Sequence, residues 1–466
     1  AGGVFAIADA HKFGDFSPYL FESTDGGRSW RSIAGDLPDG TILWAIQQDH
    51  LNPDLLFVAT EYGIYASPNR GEGWYKLGGS PTIAFRDLVI HRRDEDLVGA
   101  TFGRGFYVLD DYGPLREMAD GALEGEGTLF GVGDAWWYIP SVPGQALGRP
   151  TQGSTAWVAP NPSFGATFTY WLAEVPRTGR EARRATEREL REEGADVPFP
   201  GYETLRAESL EGEPMVLLLV RDARGEAVRW VRGPAREGLH RVTWDLRRPA
   251  PDPIDLATPG FIPPWATDPQ GPLAPPGEYQ AQMYLLTGGE LQPVGEPQNF
   301  NVRPVPTADA DFAAVAAFQA ETAELARQIA GAGETLGDVQ NRLRHMSAAL
   351  LEAPRADPSL FQRMDGLGER VAELSLRLFG DRVRGGLNEP SVPSISGRVG
   401  NVQYGHWETR QMPTETQRRD LEIARTGFAE LRSELAAFIS GQLLEVERAL
   451  EAAGAPWTPG RPLGGG

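Results

Sequence analysis

Two carboxylates, Asp39 and Glu61, are the residues of this chain whose type best suits bond-breaking chemistry. Hydrolysis of a glycosidic bond needs two carboxyl groups roughly 5–9.5 Å apart across the sugar. In an acidic chain, however, loop carboxylates most often form a solvated surface. The sequence therefore leaves the catalytic residues unknown, with Asp39 and Glu61 as the candidate pair.

Other catalytic and cofactor-binding motifs are missing from the sequence. The histidines lack the spacing of a metal site such as H-E-x-x-H, and there is no G-x-S-x-G, P-loop or dinucleotide fingerprint. Cysteine is absent, so the chain has neither disulfides nor thiolate metal ligands. We predict no metal site and no cofactor.

Length and composition limit the class of protein. The 466 residues are enough for about three domains, and 41% of them are hydrophobic, so sizeable cores can form. The formal charge of −20 argues against a surface that binds nucleic acid. No apolar run is long enough to span a bilayer, and no signal peptide is present. Because residues 1–5 already have the pattern of a strand, we expect an export signal to lie upstream.

Two similar octets organise the first quarter of the chain. The first, 23–30, reads S-T-D-G-G-R-S-W, and the second, 67–74, reads S-P-N-R-G-E-G-W, which is a period of 44 residues. The Asp or Asn at the third position can accept hydrogen bonds from nearby backbone N–H groups, and glycine permits the positive φ of a tight turn. This period is the length of one four-stranded propeller blade.

The octets resemble the Asp-box, or BNR repeat, of sialidase-like and sortilin-like β-propellers. The resemblance implies that each octet joins the third and fourth strands of a blade, away from the ligand face, and that its role is structural. We expect the tryptophan of each octet to pack under its turn as an apolar anchor. The structural residues implied are Ser23, Asp25, Gly27, Trp30, Ser67, Asn69, Gly71 and Trp74.

Residues 1–115 are predicted to hold the last two to three blades of such a propeller. The segment G-R-G-F-Y-V-L-D-D, with P-L-R soon after it, resembles the last blade of large bacterial proteins with sortilin-like propellers, often labelled glycosyl hydrolases. A propeller generally needs at least about four blades to close. The open edge must therefore pair with upstream blades or with another subunit. Apolar patterning predicts strands at 4–8, 19–23, 42–47, 55–60, 63–67, 85–91, 97–101 and 105–110.

In such a propeller, ligands approach the face that carries the hairpins between second and third strands and the loops between blades. Tyr62, Phe102 and Arg104 are the candidate binding residues on this face, and we expect His in many relatives at the position of Phe102. Two roles are open for Arg104: it binds an anionic ligand, or it braces Asp110 or Asp111. We favour the second. The face is predicted to include Asp36, Asp39, Glu61, Tyr62, Phe102 and Arg104.

The middle of the chain is predicted to contain a connector, 116–152, and a β-sandwich, 153–305. The elements G-L-H, W-D-L and P-P-G-x-Y resemble the immunoglobulin-like domain at the C-terminal end of flagellar hook-capping proteins. The resemblance implies a spacer or stabilising module. The charged stretch 178–213 is expected to be a solvated insertion that favours helix. Sandwich strands are predicted at 166–172, 215–222, 227–231, 239–246 and 278–286.

Residues 306–455 are predicted to form a helical bundle, followed by a tail, 456–466. Thr414 and Gln417 form a capping box at the start of the last helix. An intramolecular bundle is favoured over an elongated coiled coil that oligomerises, and the role of the loop 384–413 is open. Four apolar helix faces are predicted: Phe312, Val315, Thr322, Leu325 and Ile329; Val339, Leu343, Met346 and Leu350; Met364, Leu367, Val371, Leu374 and Leu378; and Leu421, Ala424, Phe428, Leu431, Leu435 and Phe438.

The expected fold class is multidomain, with a partial β-propeller, an immunoglobulin- or fibronectin-like β-sandwich and a C-terminal α-helical bundle. The resemblance implies the C-terminal portion of a bacterial protein that is secreted, periplasmic or at the cell surface, and that binds a protein, peptide or polysaccharide without chemistry. A glycoside hydrolase, as in xyloglucan-cleaving enzymes built from the same repeat, is the second interpretation. A structural or assembly protein that oligomerises through its helical region is the third.

Overall fold

The computed structural model describes residues 3–119, 123, 125–140, 153, 155, 159, 161–257, 260–263, 266, 268–307 and 309–461, so parts of the predicted connector and tail lie outside the described residues. The protein is multidomain and combines β-sheets with a C-terminal helical region. The chain folds into two compact units. The first comprises residues 1–136, 161–245 and 277–303, and the second comprises 137–160, 246–276 and 304–466.

Three antiparallel sheets follow one another along the start of the first unit. Eight of their strands agree with the predicted ranges to within one residue, whereas the two-residue strands Arg31–Ser32 and Tyr75–Lys76 were not predicted. A 3-10 turn, His11–Phe13, lies in the first hairpin. Sheet 1 contains β1 (Val4–Ala8), β2 (Tyr19–Ser23) and β3 (Arg31–Ser32); sheet 2 contains β4 (Leu43–Gln48), β5 (Leu56–Thr60), β6 (Gly63–Ser67) and β7 (Tyr75–Lys76); sheet 3 contains β8 (Phe85–His91), β9 (Asp96–Thr101) and β10 (Phe106–Leu109).

Sheet 2 is packed on both faces, because successive side chains of a strand point to opposite sides. Leu56 and Val58 join one apolar cluster with Leu20 of sheet 1. The alternating Phe57 and Ala59 join a second cluster with residues of sheet 3. The three sheets therefore stack face to face in chain order.

The rest of the first unit is built around two further antiparallel sheets. Sheet 4 has the order β11-β13-β16, and sheet 5 has the order β12-β18-β17-β14-β15. Aromatic rings join the two sheets: the ring centroids of Phe168 and Phe300 lie 5.7 Å apart, and those of Trp244 and Tyr279 lie 5.4 Å apart. The elements are α1 (Gly113–Ala119), β11 (Gly127–Leu129), β12 (Ala135–Trp137), β13 (Ala166–Leu172), α2 (Gly179–Glu192), α3 (Tyr202–Leu210), β14 (Met215–Asp222), β15 (Ala227–Gly233), β16 (Gly238–Trp244), β17 (Gly277–Thr287) and β18 (Glu290–Pro304).

The charged stretch 178–213 forms the helices α2 and α3. A capping box at Thr178 and Glu181 begins α2, and none of the residues of α2 is buried. The prediction of a solvated, helix-forming segment is confirmed for α2. In α3 the single buried residue is Glu208, whose carboxylate accepts from the Arg183 guanidinium of α2 at 2.6 Å.

Helices packed around one apolar core make up most of the second unit. Apart from the half-buried Phe312, every residue of the four predicted faces is buried, and the capping box of Thr414 and Gln417 is confirmed. The first two predicted helices are one continuous helix, and a helix within 384–413 was not predicted. The helices are α4 (Phe312–Leu351), α5 (Ser359–Phe379), α6 (Arg382–Gly386), α7 (Ile395–His406), α8 (Glu415–Phe438), a π-helical segment (Ile439–Leu443) and α9 (Leu444–Ala452).

A buried histidine makes the helical unit sensitive to acid. His406 ends α7, accepts a hydrogen bond from the Gln319 amide at its backbone carbonyl and lies against the ring of Phe318. Burial, aided by the charge of Arg418, lowers the pKa of His406 below its usual value. In the unfolded chain that pKa is about 6.5, so the unfolded state takes up the proton first as pH falls.

We therefore expect the free energy of unfolding of the helical unit to fall as pH drops below about 6.5, by at most about 1.4 kcal/mol per pH unit. Urea unfolding followed by circular dichroism between pH 7.5 and 5 measures it. His406→Gln should flatten this dependence, whereas the matched change at the exposed His345 of α4, His345→Gln, should preserve it. An unchanged slope in His406→Gln would contradict the assignment.

Candidate functional site

The two octets form similar turns, held by their serine and their acid or amide. In the first, the Asp25 carboxylate accepts from the backbone N–H groups of Arg28 and Ser29 at 2.8 and 2.9 Å and from the Ser29 hydroxyl at 2.7 Å. These bonds, led by the Ser29 hydroxyl, hold the pKa of Asp25 well below its usual range. In the second, the Asn69 carbonyl accepts from the Gly73 N–H at 2.9 Å. Both arrangements serve the turn itself.

The octet tryptophans differ in burial. Trp74 is 5% exposed and its indole N–H donates to the Ile33 carbonyl at 3.0 Å, as expected of an anchor. Trp30 is 45% exposed, although its indole N–H donates to the Gly27 carbonyl of its own turn at 3.2 Å, so its packing as an anchor is only partial. The second turn packs closely against the Ile33 backbone, and Gly71 is the residue that permits this approach. Its φ is +87°, and a Cβ there would lie 2.6 Å from the Ile33 carbonyl oxygen.

Two hairpin tips repeat one backbone arrangement in sheets 2 and 3. In sheet 2 the Thr60 hydroxyl donates to the Gly63 carbonyl at 2.9 Å. In sheet 3 the Thr101 hydroxyl donates to the Gly105 carbonyl at 2.7 Å. In each, the backbone N–H of the next residue donates across to the chain just before the first strand: Glu61 to Ile42, and Phe102 to Ala84. Glu61 and Phe102 are thus equivalent positions.

Around these tips the side chains form a ladder of alternating aromatic and charged groups. The Trp44 indole N–H donates to the Glu61 carboxylate at 2.9 Å. The Arg86 guanidinium lies 3.5 Å from the centroid of the Trp44 ring and 5.1 Å from that of Phe102. The His11 and Trp44 rings pack in a T-shaped arrangement, with the centroids 6.1 Å apart. We call these five residues, His11, Trp44, Glu61, Arg86 and Phe102, the tip ladder.

The tip ladder offers both ring surfaces and hydrogen-bonding groups. Phe102 is 71% exposed, and Tyr62, beside Glu61, is also exposed. Within the described part of the chain, the Arg86 guanidinium makes no hydrogen bond and forms a long ion pair with the Glu61 carboxylate at 3.9 Å. Stacking between rings fixes the guanidinium while leaving its donors available. Such a surface can stack on a ring and hydrogen-bond its polar substituents.

Asp39 and Asp36 were also predicted to lie on the ligand face, but neither belongs to the tip ladder. Asp39 is exposed and, among the described residues, makes no hydrogen bond or ion pair. Asp36 does not belong to this face, because its carboxylate accepts from the Trp74 backbone N–H at 2.7 Å, in the octet turn at the other end of β6. The sequence could not show this contact, which joins residues 38 positions apart.

The predicted brace by Arg104 is also not observed. Arg241 donates to the carbonyl oxygens of Asp110 and Asp111 at 2.9 and 2.8 Å, and so ties this corner to β16. The Arg104 side chain is exposed at the hairpin tip. Its backbone N–H donates to the Thr101 hydroxyl at 3.2 Å.

An ionic network around the buried Asp49 connects α1 to the ends of sheets 2 and 3. The sequence did not predict it. The Asp49 carboxylate accepts from the Arg116 guanidinium at 2.8 and 3.0 Å and from the Tyr112 hydroxyl at 2.6 Å. Arg116 also pairs with Glu95 at 3.0 Å. Burial opposes ionisation of Asp49, but the bonds from Arg116 and Tyr112 outweigh it and lower the pKa. The network fixes α1 to sheets 2 and 3.

Three possible metal ligands also meet, although no metal site was predicted. Ligand atoms of His91, Asp94 and Asp96 lie within 4.8 Å of one another. Asp94 is already paired with the Arg93 guanidinium at 2.6 Å, and Asp96 accepts from the Asp111 backbone N–H. A local ion-pair cluster explains this arrangement.

Comparisons with known proteins leave the family open. No protein-family model matches the chain, and no curated protein matches it. The extracellular domain of the putative one component system BT4673 from B. thetaiotaomicron is 14% identical over 62% of this chain, with a TM-score of 0.16. The extracellular domain of the putative hybrid two component system BT4673 is 12% identical over 65% of the chain, again with a TM-score of 0.16. The chain spans 29% and 30% of these neighbours, and TM-scores this low carry no argument about fold or function.

Among the described helices, none combines the length and the apolar character that crossing a membrane would require.

Proposed function

We propose that sheets 1–3 are three successive blades of a β-propeller and that the protein is a non-catalytic binding scaffold of a bacterial exported type. The stacking of the sheets in chain order and the repeated octet turns support the propeller. The facing sheets 4 and 5, with their aromatic contacts, support an immunoglobulin-like spacer. Since about four blades are needed to close a ring, further sheets, from the same polypeptide or another subunit, complete it.

The tip ladder is the observation that carries the binding function. Residues from three different sheets or hairpins converge there: His11 from the first hairpin, Trp44 and Glu61 from sheet 2, and Arg86 and Phe102 from sheet 3. Exposed rings beside a guanidinium that makes no hydrogen bond among the described residues, and beside a carboxylate, suit a glycan, whose ring faces stack and whose hydroxyls hydrogen-bond. A peptide or protein ligand is the other outcome of the test.

Binding is favoured over hydrolysis by the state of the candidate carboxylates. Glu61 is engaged by the Trp44 indole, and Asp39 lies in exposed solvent. A glycosidase would need a second carboxyl group roughly 5–9.5 Å from the first across a bound sugar. Glu61 is the one carboxylate among the five residues of the tip ladder, and the Asp9 carboxylate next to it is engaged by the His11 ring at 2.6 Å, so the hydrolase remains the second candidate.

The test is a binding and hydrolysis screen against plant and bacterial polysaccharides and a peptide library. We expect saturable glycan binding without cleavage. Phe102→Ala should weaken binding about tenfold, the loss of one ring contact of about 1.4 kcal/mol, and Arg86→Gln should weaken it at least as much. Isothermal titration calorimetry, with the ligand that the screen identifies for the wild-type protein, measures the affinity of both variants.

Phe199→Ala, which removes an exposed ring from the loop before α3, is the matched control and should bind normally. Cleavage that disappears in Glu61→Gln would establish the glycosidase instead. The absence of binding to every glycan and peptide would contradict the ligand-binding function and favour a structural or assembly role.

A further inference from the structure

A cavity of about 680 Å³ lies within the second unit and is lined by residues of α4, α7 and the chain segment 247–270. Its apolar lining includes Ile329 and Val399, which belong to the buried core of the helices. Three aromatic residues also line it: Phe379, Tyr404 and Trp407. Ligand sites in proteins are commonly concave, of this size, and built from apolar and aromatic walls with a few polar groups.

The indole N–H of Trp407 is a buried donor without an acceptor. Trp407 directly follows α7, and its backbone N–H donates to the Gln403 carbonyl at 2.9 Å. The indole nitrogen is shielded from solvent, yet no described residue accepts its hydrogen. Folded proteins rarely leave such a group unsatisfied, because its lost hydration is not replaced. Five other indoles of the chain do donate to oxygen atoms: those of Trp30, Trp44, Trp74, Trp137 and Trp457.

The polar part of the lining has an excess of negative charge. Asp252 and Glu408 are exposed there, and neither makes an ion pair or a hydrogen bond with another described residue. Arg247, the cation of the described lining, is already engaged, because its guanidinium donates to the Gly271 carbonyl at 3.0 Å. The formal charge of −20 on the whole chain adds to this local excess, so the cavity attracts cations.

Carboxylates beside open aromatic rings have the chemistry that recognises an organic cation. An aromatic ring attracts a cation placed over its face. The rings of Tyr404 and Phe379 are accessible, with 94% and 39% of these residues exposed. A guanidinium suits such a lining best, since it stacks on rings and pairs with carboxylates. A neutral sugar gains nothing from the negative charge, and an anion is repelled by it.

We propose that this cavity binds a short peptide segment that carries an arginine or lysine side chain. The cationic side chain meets the carboxylates and the aromatic rings, and a backbone carbonyl of the peptide accepts from the Trp407 indole. A peptide brings both groups, whereas a simple amine or guanidine lacks the carbonyl. The cavity lies in a different unit from the tip ladder, so the inference goes beyond the proposed function and does not rest on it.

Isothermal titration calorimetry of the intact chain with capped pentapeptides tests the proposal. The peptides have alanine at four positions and arginine, lysine, glutamine or glutamate at the centre. Butylguanidinium is the cationic probe without a carbonyl. We expect saturable binding of the arginine and lysine peptides. The glutamine peptide, the glutamate peptide and butylguanidinium should each bind at least about tenfold more weakly.

Trp407→Phe removes the indole N–H and keeps an aromatic ring. It should weaken binding of the arginine peptide about fivefold, the effect of losing one hydrogen bond. The Tm of the ligand-free variant should not fall, because the indole has no acceptor there to lose. Asp252→Asn combined with Glu408→Gln should weaken binding about tenfold, with a larger effect at low salt. Glu352→Gln, which neutralises an exposed carboxylate after the end of α4, is the control and should bind normally.

Equal affinity for the arginine and glutamine peptides would overturn the proposal, as would the absence of saturable binding by any peptide. Unchanged affinity of Trp407→Phe for the arginine peptide would also overturn it, since a water molecule and not the peptide would then satisfy the indole. Peptide binding should persist in Phe102→Ala, which alters the tip ladder alone. Loss of peptide binding in that variant would place the peptide at the tip ladder and count against the cavity.

Discussion

Asp49→Asn is expected to lower the free energy of unfolding by about 3–5 kcal/mol, the cost of leaving one member of a buried ion pair without its partner. Asp49 is almost fully buried and accepts from Arg116, Tyr112 and two backbone N–H groups of its own loop. The amide cannot neutralise the guanidinium and cannot accept at every one of these positions. Glu95 pairs with Arg116 from the other side, so we expect the lower part of that range.

Chemical unfolding of wild type and variant measures this loss. Arg116→Met alone should also destabilise, and the double variant should lose less than the sum, because it leaves no buried charge unpaired. Asp54→Ala is the control. Asp54 also pairs with an arginine, Arg70, but at the surface, where a pair contributes at most about 1 kcal/mol. Additive losses at Asp49 and Arg116 would contradict the coupling.

The same carboxylate predicts a pH dependence. The pKa of Asp49 in the folded protein lies below its unfolded value of about 3.9. The stabilisation is therefore fully present above about pH 4 and is lost as pH falls towards the folded pKa. The Asp49→Asn variant should show a smaller loss of stability than wild type between pH 4 and pH 2.

Trp74→Ala is expected to destabilise the protein by about 3–5 kcal/mol, the usual cost of truncating a buried aromatic side chain. Trp74 fills the cluster between sheets 1 and 2, and its indole N–H bonds to Ile33. The equivalent change in the first octet, Trp30→Ala, should cost less, about 1 kcal/mol, since Trp30 is 45% exposed.

The two tryptophans occupy the same place in two turns of similar sequence, so they form an internal control. Denaturant unfolding of the two variants compares them directly. Equal losses of unfolding free energy in the two variants would contradict the expectation that burial of Trp74 by the neighbouring sheet causes the difference.

Local patterns in the sequence were sufficient for most strands and for the main helix faces, but the short strands β3, β7, β11 and β12 and the long strand β18 were not predicted. The turn bonds of Ser23, Asp25 and Asn69 involve residues at most four positions apart, so the octets define them. The capping box at Thr414 is equally local. Apolar spacing located the buried face of α8 because a helix buries every third or fourth residue.

Contacts between distant residues could not be read in the same way. Asp49 meets Arg116 across 67 positions, and nothing in its neighbourhood distinguishes it from a surface aspartate. Trp44 and Arg86 were overlooked for the same reason. One signal was available: both stand two positions after Ile42 and Ala84, the equivalent chain positions that receive the tip hydrogen bonds. Helix α7 was missed because its glycines and polar residues dilute the apolar period.

The threonines at the hairpin tips have a consequence for how this surface can change. Thr60 and Thr101 close each tip through their own hydroxyls, and the next residue contributes only its backbone N–H to the turn. The side chain at that position is therefore not needed for the bonds of the turn, and the chain already places an acid there in one repeat and an aromatic ring in the next. Specificity can drift, or be selected from a small library at Glu61 and Phe102, while the scaffold beneath keeps its stability.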